Sequence, residues 1–173
     1  APAIATHIAQ QRAAGRQIVV YAGSHGEPNA LDVLLDAAAA LRNEPFAFVL
    51  VGDGHEKARL ARRVQDEGEA LRLVRLFEPI PKAQIPALLA AADIAYIGWK
   101  RQPLYRFGIA PNKLMDYMMA GVPVLHSVEA GNDPVAESGC GLTVIPQSPE
   151  AVAKGLRELA AVPGAERRAM GER

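Results

Sequence analysis

The chain has 173 residues, with 19 Lys and Arg balanced by 19 Asp and Glu, and half of its residues are hydrophobic. This length predicts a single domain over residues 1–173 with a buried core. The zero net charge argues against a nucleic-acid-binding domain, and no apolar run approaches the ~18 residues of a membrane-spanning helix. No signal peptide is visible and the single cysteine cannot form an internal disulfide, so we expect a cytoplasmic location.

Apolar runs and amphipathic stretches alternate along the chain. The predicted elements, in chain order, are a helix at 3–14, strand 17–22, helix 29–42, strand 46–51, helix 55–68, strand 71–77, helix 83–92, strand 93–97, helix 111–120, strands 123–126 and 142–145, and helices 149–161 and 164–173. Strands this apolar, separated by helices, indicate a parallel sheet covered on both faces. We therefore predict an α/β fold with a Rossmann-like parallel sheet of about six strands.

The loop after the first predicted strand is a candidate phosphate site. Ligands of such folds bind beyond the carboxyl ends of the strands, where the winding reverses. Gly23, Ser24 and Gly26 follow the strand, and the two glycines allow a tight turn close to a ligand. The loop is neither a dinucleotide-binding fingerprint nor a P-loop, so an ordinary strand–helix turn fits it equally well.

The predicted helix 111–120 is the most informative segment. Pro111 suits the first helical position, and Gly121 suits the end of the helix. Lys113 lies in the first turn, where a cation opposes the helix dipole unless an anion binds nearby, so a diphosphate site is one interpretation. Asp116 shares a face with Lys113, and its carboxylate suits the vicinal diol of a ribose. A solvated Lys–Asp pair is the alternative.

Histidines and the cysteine do not form a recognisable metal or catalytic motif. No His, Cys, Asp and Glu residues have the spacing of a metal site, so we expect neither metal nor cofactor. The four histidines, His7, His25, His55 and His126, are expected to be solvated or hydrogen-bonded. Two of them, His25 and His126, follow predicted strands and so would lie near the expected ligand edge of the sheet. Cys140 is expected to pack as a small hydrophobic residue.

Several short motifs, in their order and spacing, resemble those of one known family. The most informative are Val51-Gly52-Asp53-Gly54 and FGIAPNKLMDY at 107–117, and the others lie at 21–23, 29–32, 77–82, 88–95, 120–124, 139–144 and 170–171. Together they resemble the C-terminal, donor-binding half of retaining GT-B glycosyltransferases of family 4. The branch that it resembles most transfers N-acetylated amino sugars or deoxyhexoses in bacterial surface-polysaccharide assembly, and we expect a glycosyltransferase of the hexosyl or N-acetylhexosaminyl type.

The resemblance implies a site for a nucleoside diphosphate sugar, a UDP-sugar in our expectation, with no bound metal. Asp116 would hold the ribose. The base would contact the turn Phe77, Glu78 and Pro79, and the donor sugar would contact the loop Gly108, Ile109 and Ala110. Gly108 stands where the family usually has its first acid, so the usual carboxylate contact to the sugar is absent or replaced.

The phosphates need other partners, because the family's Arg and Lys after the first strand are missing. We expect the phosphate contacts to come from Gly23, Ser24, Arg106, Asn112 and Lys113. No catalytic residue is assigned within the chain.

The resemblance also implies partners outside residues 1–173. A member of this family has an N-terminal acceptor domain, which is absent here, so we expect a domain fragment that is inactive alone. The expected partners are the nucleotide-sugar, that domain, and an acceptor glycan or lipid-linked sugar, with peripheral association of the whole enzyme at the inner membrane face left open. Two rivals remain: a GT-B-fold sugar-nucleotide 2-epimerase, and a non-catalytic nucleotide-binding or signalling module.

Overall fold

Helices and strands alternate along the part of the chain that the computed structural model describes, which is residues 2–26, 30–98, 121–127, 135 and 139–171. The helices are α1 (Pro2–Ala13), α2 (Leu31–Ala40), α3 (Lys57–Asp66), α4 (Ile85–Ala90), α5 (Pro149–Ala161) and α6 (Gly164–Gly171). The strands are β1 (Gln17–Ala22), β2 (Phe46–Val51), β3 (Val74–Phe77), β4 (Ile94–Gly98), β5 (Val124–Ser127) and β6 (Gly141–Val144). The predicted helix 111–120 lies outside the described residues.

The strands form one six-stranded parallel sheet in the order β3-β2-β1-β4-β5-β6. This order confirms the predicted Rossmann-like α/β architecture. Since β2 and β4 lie on opposite sides of β1, the winding reverses between β1 and β4, and ligands of such sheets bind beside that point. Ala22 pairs with Val51, and Val51 with Phe77, so β1, β2 and β3 end at one level.

Helices cover both faces of the sheet, as predicted. Alternate residues of β1 enter two separate cores: Val19 and Tyr21 pack with α2, α3 and α5, whereas Ile18 and Val20 pack with α1 and α4. Because both faces are buried, the strand residues are apolar without interruption, and this explains the pattern from which the sheet was predicted. Cys140 is fully buried in the second core, as expected for a small hydrophobic residue.

The two strands beside the reversal are joined at their amino ends by Asp93. Its carboxylate accepts a hydrogen bond from the Ile18 amide at 2.7 Å, and its own amide donates to the Ile18 carbonyl at 2.9 Å. Arg12 on α1 pairs with the same carboxylate at 3.3 Å. One acidic side chain therefore links β1, the start of β4 and α1 at the amino edge of the sheet.

Four predicted strands differ from the structure in their bounds: β4, β5 and β6 are each displaced by one residue, and β3 differs most. The segment predicted as a strand from residue 71 begins with a 3-10 turn at Gly68–Leu71, and β3 starts only at Val74. The turn buries Leu71 in the core. A buried apolar residue outside a strand gives the same sequence pattern as a strand residue, and this explains the error. The strand predicted at 142–145 corresponds to β6, which ends at Val144. Ile145, which was predicted to belong to the strand, is 62% exposed.

Candidate functional site

The loops after β1 and β2 are joined by backbone hydrogen bonds at the carboxyl edge of the sheet. The Gly23 amide donates to the Val51 carbonyl at 2.9 Å, and the His25 amide donates to the Asp53 carbonyl at 2.8 Å. The His25 carbonyl in turn accepts from the Glu56 amide at 2.9 Å, at the start of α3. The edge that the sequence indicated as a ligand site is therefore held rigidly through backbone atoms.

This contact between loops requires glycine in the second loop. A Cβ atom at Gly52 would lie 1.9 Å from the Gly23 carbonyl oxygen, and Gly52 has a φ of +145°. A Cβ atom at Gly54 would lie 2.6 Å from the His25 carbonyl carbon. Any side chain at these positions would separate the loops, because such distances are far below van der Waals contact.

Ser24 lies at the outside of this edge. The hydroxyl of buried Tyr21 donates a hydrogen bond to the Ser24 carbonyl at 2.5 Å, whereas Ser24 itself is exposed. This hydrogen bond from a core residue therefore fixes the position of the Ser24 backbone. An exposed serine beside Gly23, with its backbone anchored, is compatible with the phosphate contact predicted for these two residues.

His25 and His126 are buried structural residues at the ends of β1 and β5. The His25 Nδ1 atom lies 3.1 Å from the Gly23 carbonyl, which can only accept, so Nδ1 carries the proton. The His25 ring also meets Tyr21 edge-on, with 5.9 Å between the ring centroids. His126 Nδ1 lies 3.3 Å from the Thr143 hydroxyl of the neighbouring strand. Both histidines therefore have structural partners, in agreement with the expectation of hydrogen-bonded histidines.

The turn predicted for base binding follows β3. The Phe77 ring packs on the face that α1 covers, with its centroid 5.6 Å from that of His7 and 5.3 Å from the guanidinium carbon of Arg75. Burial, and then the positive charge of Arg75, lower the pKa of His7. Since the aromatic face of Phe77 is occupied, the turn offers a ligand its backbone and the Glu78 carboxylate, which is 87% exposed.

Lys57 is the residue at this edge that the sequence prediction missed. Its ammonium donates to the carbonyls of Gly52 at 2.6 Å and Phe77 at 2.8 Å, and lies 3.5 Å from a Glu78 oxygen. A lysine at the first residue of a helix opposes the dipole by about 0.3–1 kcal/mol. A cation in this unfavourable helical position, three residues after Gly52-Asp53-Gly54, was the sequence signal that could have found it.

A cavity of about 310 Å³ opens beside these loops, between the starts of α2 and α3. Its lining includes Gly26, Asp32, Glu56, Arg59 and Gln147. Arg59 forms ion pairs with both acids, so one guanidinium faces two carboxylates and the described lining keeps one net negative charge. Among the described residues that line it there is neither Gly23 nor Ser24.

The structure places the described part of the predicted site at one edge of the sheet, on either side of the loop after β2: Gly23 and Ser24 after β1, and Phe77, Glu78 and Pro79 at the end of β3. The predicted site residues Arg106, Gly108, Ile109, Ala110, Asn112, Lys113 and Asp116 lie outside the described residues and remain predictions. In the described parts of the chain, no three His, Cys, Asp or Glu residues are grouped as a metal site. Nor is any described helix long and apolar enough to cross a bilayer.

Solved structures of glycosyltransferases share this fold. Sucrose-phosphate synthase from Thermosynechococcus elongatus superposes with a TM-score of 0.77 at 24% identity, over 95% of this chain and 42% of that one. Anabaena Alr3699/HepE, solved in complex with UDP-glucose, superposes with a TM-score of 0.75 at 19% identity, over 98% of this chain and 45% of that one. At these identities the likeness establishes the fold alone, a Rossmann-like parallel sheet with flanking helices that matches part of GT-B glycosyltransferase structures.

Sequence comparison establishes the family. The chain is 32% identical over 152 residues to the putative colanic acid biosynthesis glycosyl transferase WcaI of Escherichia coli K12, which covers 86% of this chain and 36% of WcaI. The chain thus spans about a third of the length of this relative. The family described as "Glycosyl transferases group 1" matches residues 16–161. With most of its length matched, the chain belongs to the glycosyl transferases group 1 family.

Proposed function

We propose that this chain is the donor-binding half of a retaining glycosyltransferase and that it holds a UDP-sugar at the carboxyl edge of its sheet. The observation that carries the proposal is the position of the loops after β1, β2 and β3, which converge at one level beside the reversal of winding. In this class of sheet that position takes nucleotides. HepE, which shares the fold, was solved with UDP-glucose.

The diphosphate is the part of the donor that this edge suits best. Gly23 and Ser24 would contact it from the β1 side, and Asn112, Lys113 and Arg106 from the segment after β4. Departure of UDP leaves negative charge on the phosphates, and amides at a helix start together with cations stabilise such charge. We propose that these groups take the place of a metal ion in this protein.

The remaining contacts divide between the nucleoside and the sugar. Asp116 would accept hydrogen bonds from the ribose hydroxyls, and the turn of Phe77, Glu78 and Pro79 would contact the base. Gly108, Ile109 and Ala110 would line the place of the donor sugar. With glycine at 108, backbone groups rather than a carboxylate would recognise a hexosyl or N-acetylhexosaminyl unit.

The complete reaction requires more than this chain. We propose that a separate N-terminal domain supplies the acceptor site and that the whole protein transfers its sugar to a glycan or lipid-linked acceptor on the cytoplasmic side of the membrane. Positioning the two substrates against each other supplies much of the rate of such enzymes. The 173-residue chain would therefore bind the donor without turning it over.

Calorimetric titration of the chain tests donor binding. We expect UDP to bind at least ~10-fold more tightly than GDP or ADP, and Asp116→Asn and Lys113→Ala each to weaken UDP binding by about tenfold, the loss of one charged contact. The matched control is Lys154→Ala, which removes an exposed lysine from α5. Normal UDP binding by both site variants would refute the assignment of these residues.

Product analysis of the whole protein tests the reaction. With UDP-sugar and acceptor we expect release of UDP and a glycoside whose anomeric configuration, measured by NMR, matches that of the donor. Inversion at the anomeric carbon would contradict the retaining mechanism. An epimerised sugar nucleotide would instead identify the protein as an isomerase.

A further inference from the structure

The Lys57 side chain links two segments of the candidate site, the loop after β2 and the end of β3. Its ammonium is at the carboxyl ends of β2 and β3, where it donates to the Gly52 carbonyl at 2.6 Å and the Phe77 carbonyl at 2.8 Å. The side chain is only 14% exposed, so these two hydrogen bonds replace most of the water that a lysine ammonium normally binds. The lysine therefore acts as a cross-link between the strand ends.

The Phe77 carbonyl is the atom through which this cross-link reaches the predicted base site. The carbonyl of Phe77 and the amide of Glu78 belong to one planar peptide unit, so an oxygen that is held fixed also fixes the direction of the N–H. That oxygen accepts from Lys57 and also from the Gly52 amide at 3.3 Å. Two donors, one from the loop after β2 and one from the start of α3, thus orient the first peptide of the turn after β3.

Lys57 also sets the charge beside this turn. Its ammonium lies 3.5 Å from a carboxylate oxygen of Glu78, whose side chain is otherwise 87% exposed. An acid alone at this edge would repel the diphosphate of a nucleotide, and the neighbouring ammonium offsets that repulsion. The lysine stands at the first residue of α3, where the helix dipole disfavours it, so helix formation does not account for a cation there.

We propose that Lys57 is a positioning residue for nucleobase recognition, which orients the Phe77–Glu78 peptide so that the turn at residues 77–79 discriminates between bases. This inference rests on the proposed function, because it assumes that the turn contacts the base of a nucleoside diphosphate. Lys57 itself need not touch the ligand. It acts through the backbone of the turn and through Glu78.

The test is calorimetric titration of the chain with UDP and with ADP. Lys57→Met keeps the length of the side chain and removes its donors, and we expect it to weaken UDP binding about tenfold and to bring the ratio of UDP to ADP affinity close to one. Lys57→Arg, which can still donate to two carbonyls, restores most of the discrimination. Arg62→Met is the matched control, because it removes an exposed cation from the same helix and leaves both affinities unchanged.

The ratio of UDP affinity to ADP affinity distinguishes a positioning role of Lys57 from a purely structural role. A general loosening of the chain would lower its melting temperature and reduce both affinities alike, so an unchanged UDP-to-ADP ratio in Lys57→Met overturns the inference. So does a wild-type chain that binds UDP and ADP equally. If Lys57→Met does not fold, Lys57→Leu, which also lacks hydrogen-bond donors, takes its place, with the same loss expected and the same result overturning it. A folded wild-type chain that binds no nucleoside diphosphate refutes the proposed function instead.

Discussion

Asp32 on α2 and Arg59 on α3 form a two-point ion pair, with nitrogen–oxygen distances of 2.5 and 3.2 Å. Arg63, one turn further along α3, donates to the same carboxylate at 2.9 Å. The pair lies on the wall of the cavity beside the candidate site. One carboxylate thus connects the two helices that begin at the ligand edge, and its protonation would loosen them.

Replacement of Asp32 should therefore destabilise the chain in a pH-dependent way. The hydrogen bond from Arg59, followed by that from Arg63, lowers the pKa of Asp32 in the folded state. A lowered folded-state pKa stabilises the fold above the unfolded pKa of about 3.9, and this contribution is lost as the pH falls through the folded value. We expect Asp32→Asn to lower the free energy of unfolding by about 1 kcal/mol near neutral pH, the scale of partly exposed ion pairs.

Urea denaturation of both proteins over a pH series measures this effect. The difference between wild type and Asp32→Asn should shrink as the pH falls from about 4 through the lowered folded-state pKa of Asp32, because the wild-type carboxyl then becomes neutral as well. Asp66→Asn, which changes an exposed acid on α3, is the control. A difference that stays constant down to the lowest pH would show that the ion pair is not its source.

Gly52→Ala should be strongly destabilising. The new methyl group would meet the Gly23 carbonyl oxygen at 1.9 Å, at a φ of +145°. Both loops would have to move, and we expect a loss of at least ~2 kcal/mol in the free energy of unfolding. Gly15→Ala is a matched control, because Gly15 also has a positive φ, +82°, but a methyl group there would have no neighbour within 4 Å.

Chemical denaturation distinguishes backbone strain from the clash. If the two alanine variants lose equal stability, positive φ alone explains the need for glycine, and the contact between the loops is not essential. A much larger loss at Gly52 would confirm the contact. UDP titration of any folded Gly52→Ala protein would then report whether the loop contact also supports the site.

His7 should titrate below its ordinary pKa of about 6.5. Burial is the main cause and the charge of Arg75 the second, so Arg75→Met should raise the pKa only part of the way back. Because the folded state favours the neutral ring, this contribution to stability is present above pH ~6.5 and is lost as the pH falls through the lowered value.

An NMR titration of the imidazole protons measures the pKa of His7, with His7→Gln to assign its signals. Arg62→Met, on a different helix, should leave the His7 titration unchanged. A wild-type pKa at or above 6.5 would contradict the buried position of His7 against Phe77. A further decrease in Arg75→Met would exclude the proposed charge effect.

Local sequence signals located most elements of the fold. Helix α5 begins and ends where it was predicted, at 149 and 161, because Ser148 caps it by accepting from the Ala151 amide at 3.2 Å and Pro149 suits its first turn. The family resemblance at the level of group 1 glycosyltransferases was confirmed by the match over residues 16–161. The strand prediction failed at residue 71, because a residue that is buried in the core outside any strand gave the same apolar pattern as a strand.

Periodicity and turn residues were sufficient to predict the class of fold, because it depends on residues close together in the chain. Contacts between distant segments required the folded structure. No local pattern shows that the ammonium of Lys57 reaches a carbonyl 20 residues away, or that Gly52 must be glycine because the Gly23 carbonyl lies against it. Such contacts depend on how the strands are ordered and aligned, which packing over the whole sheet decides.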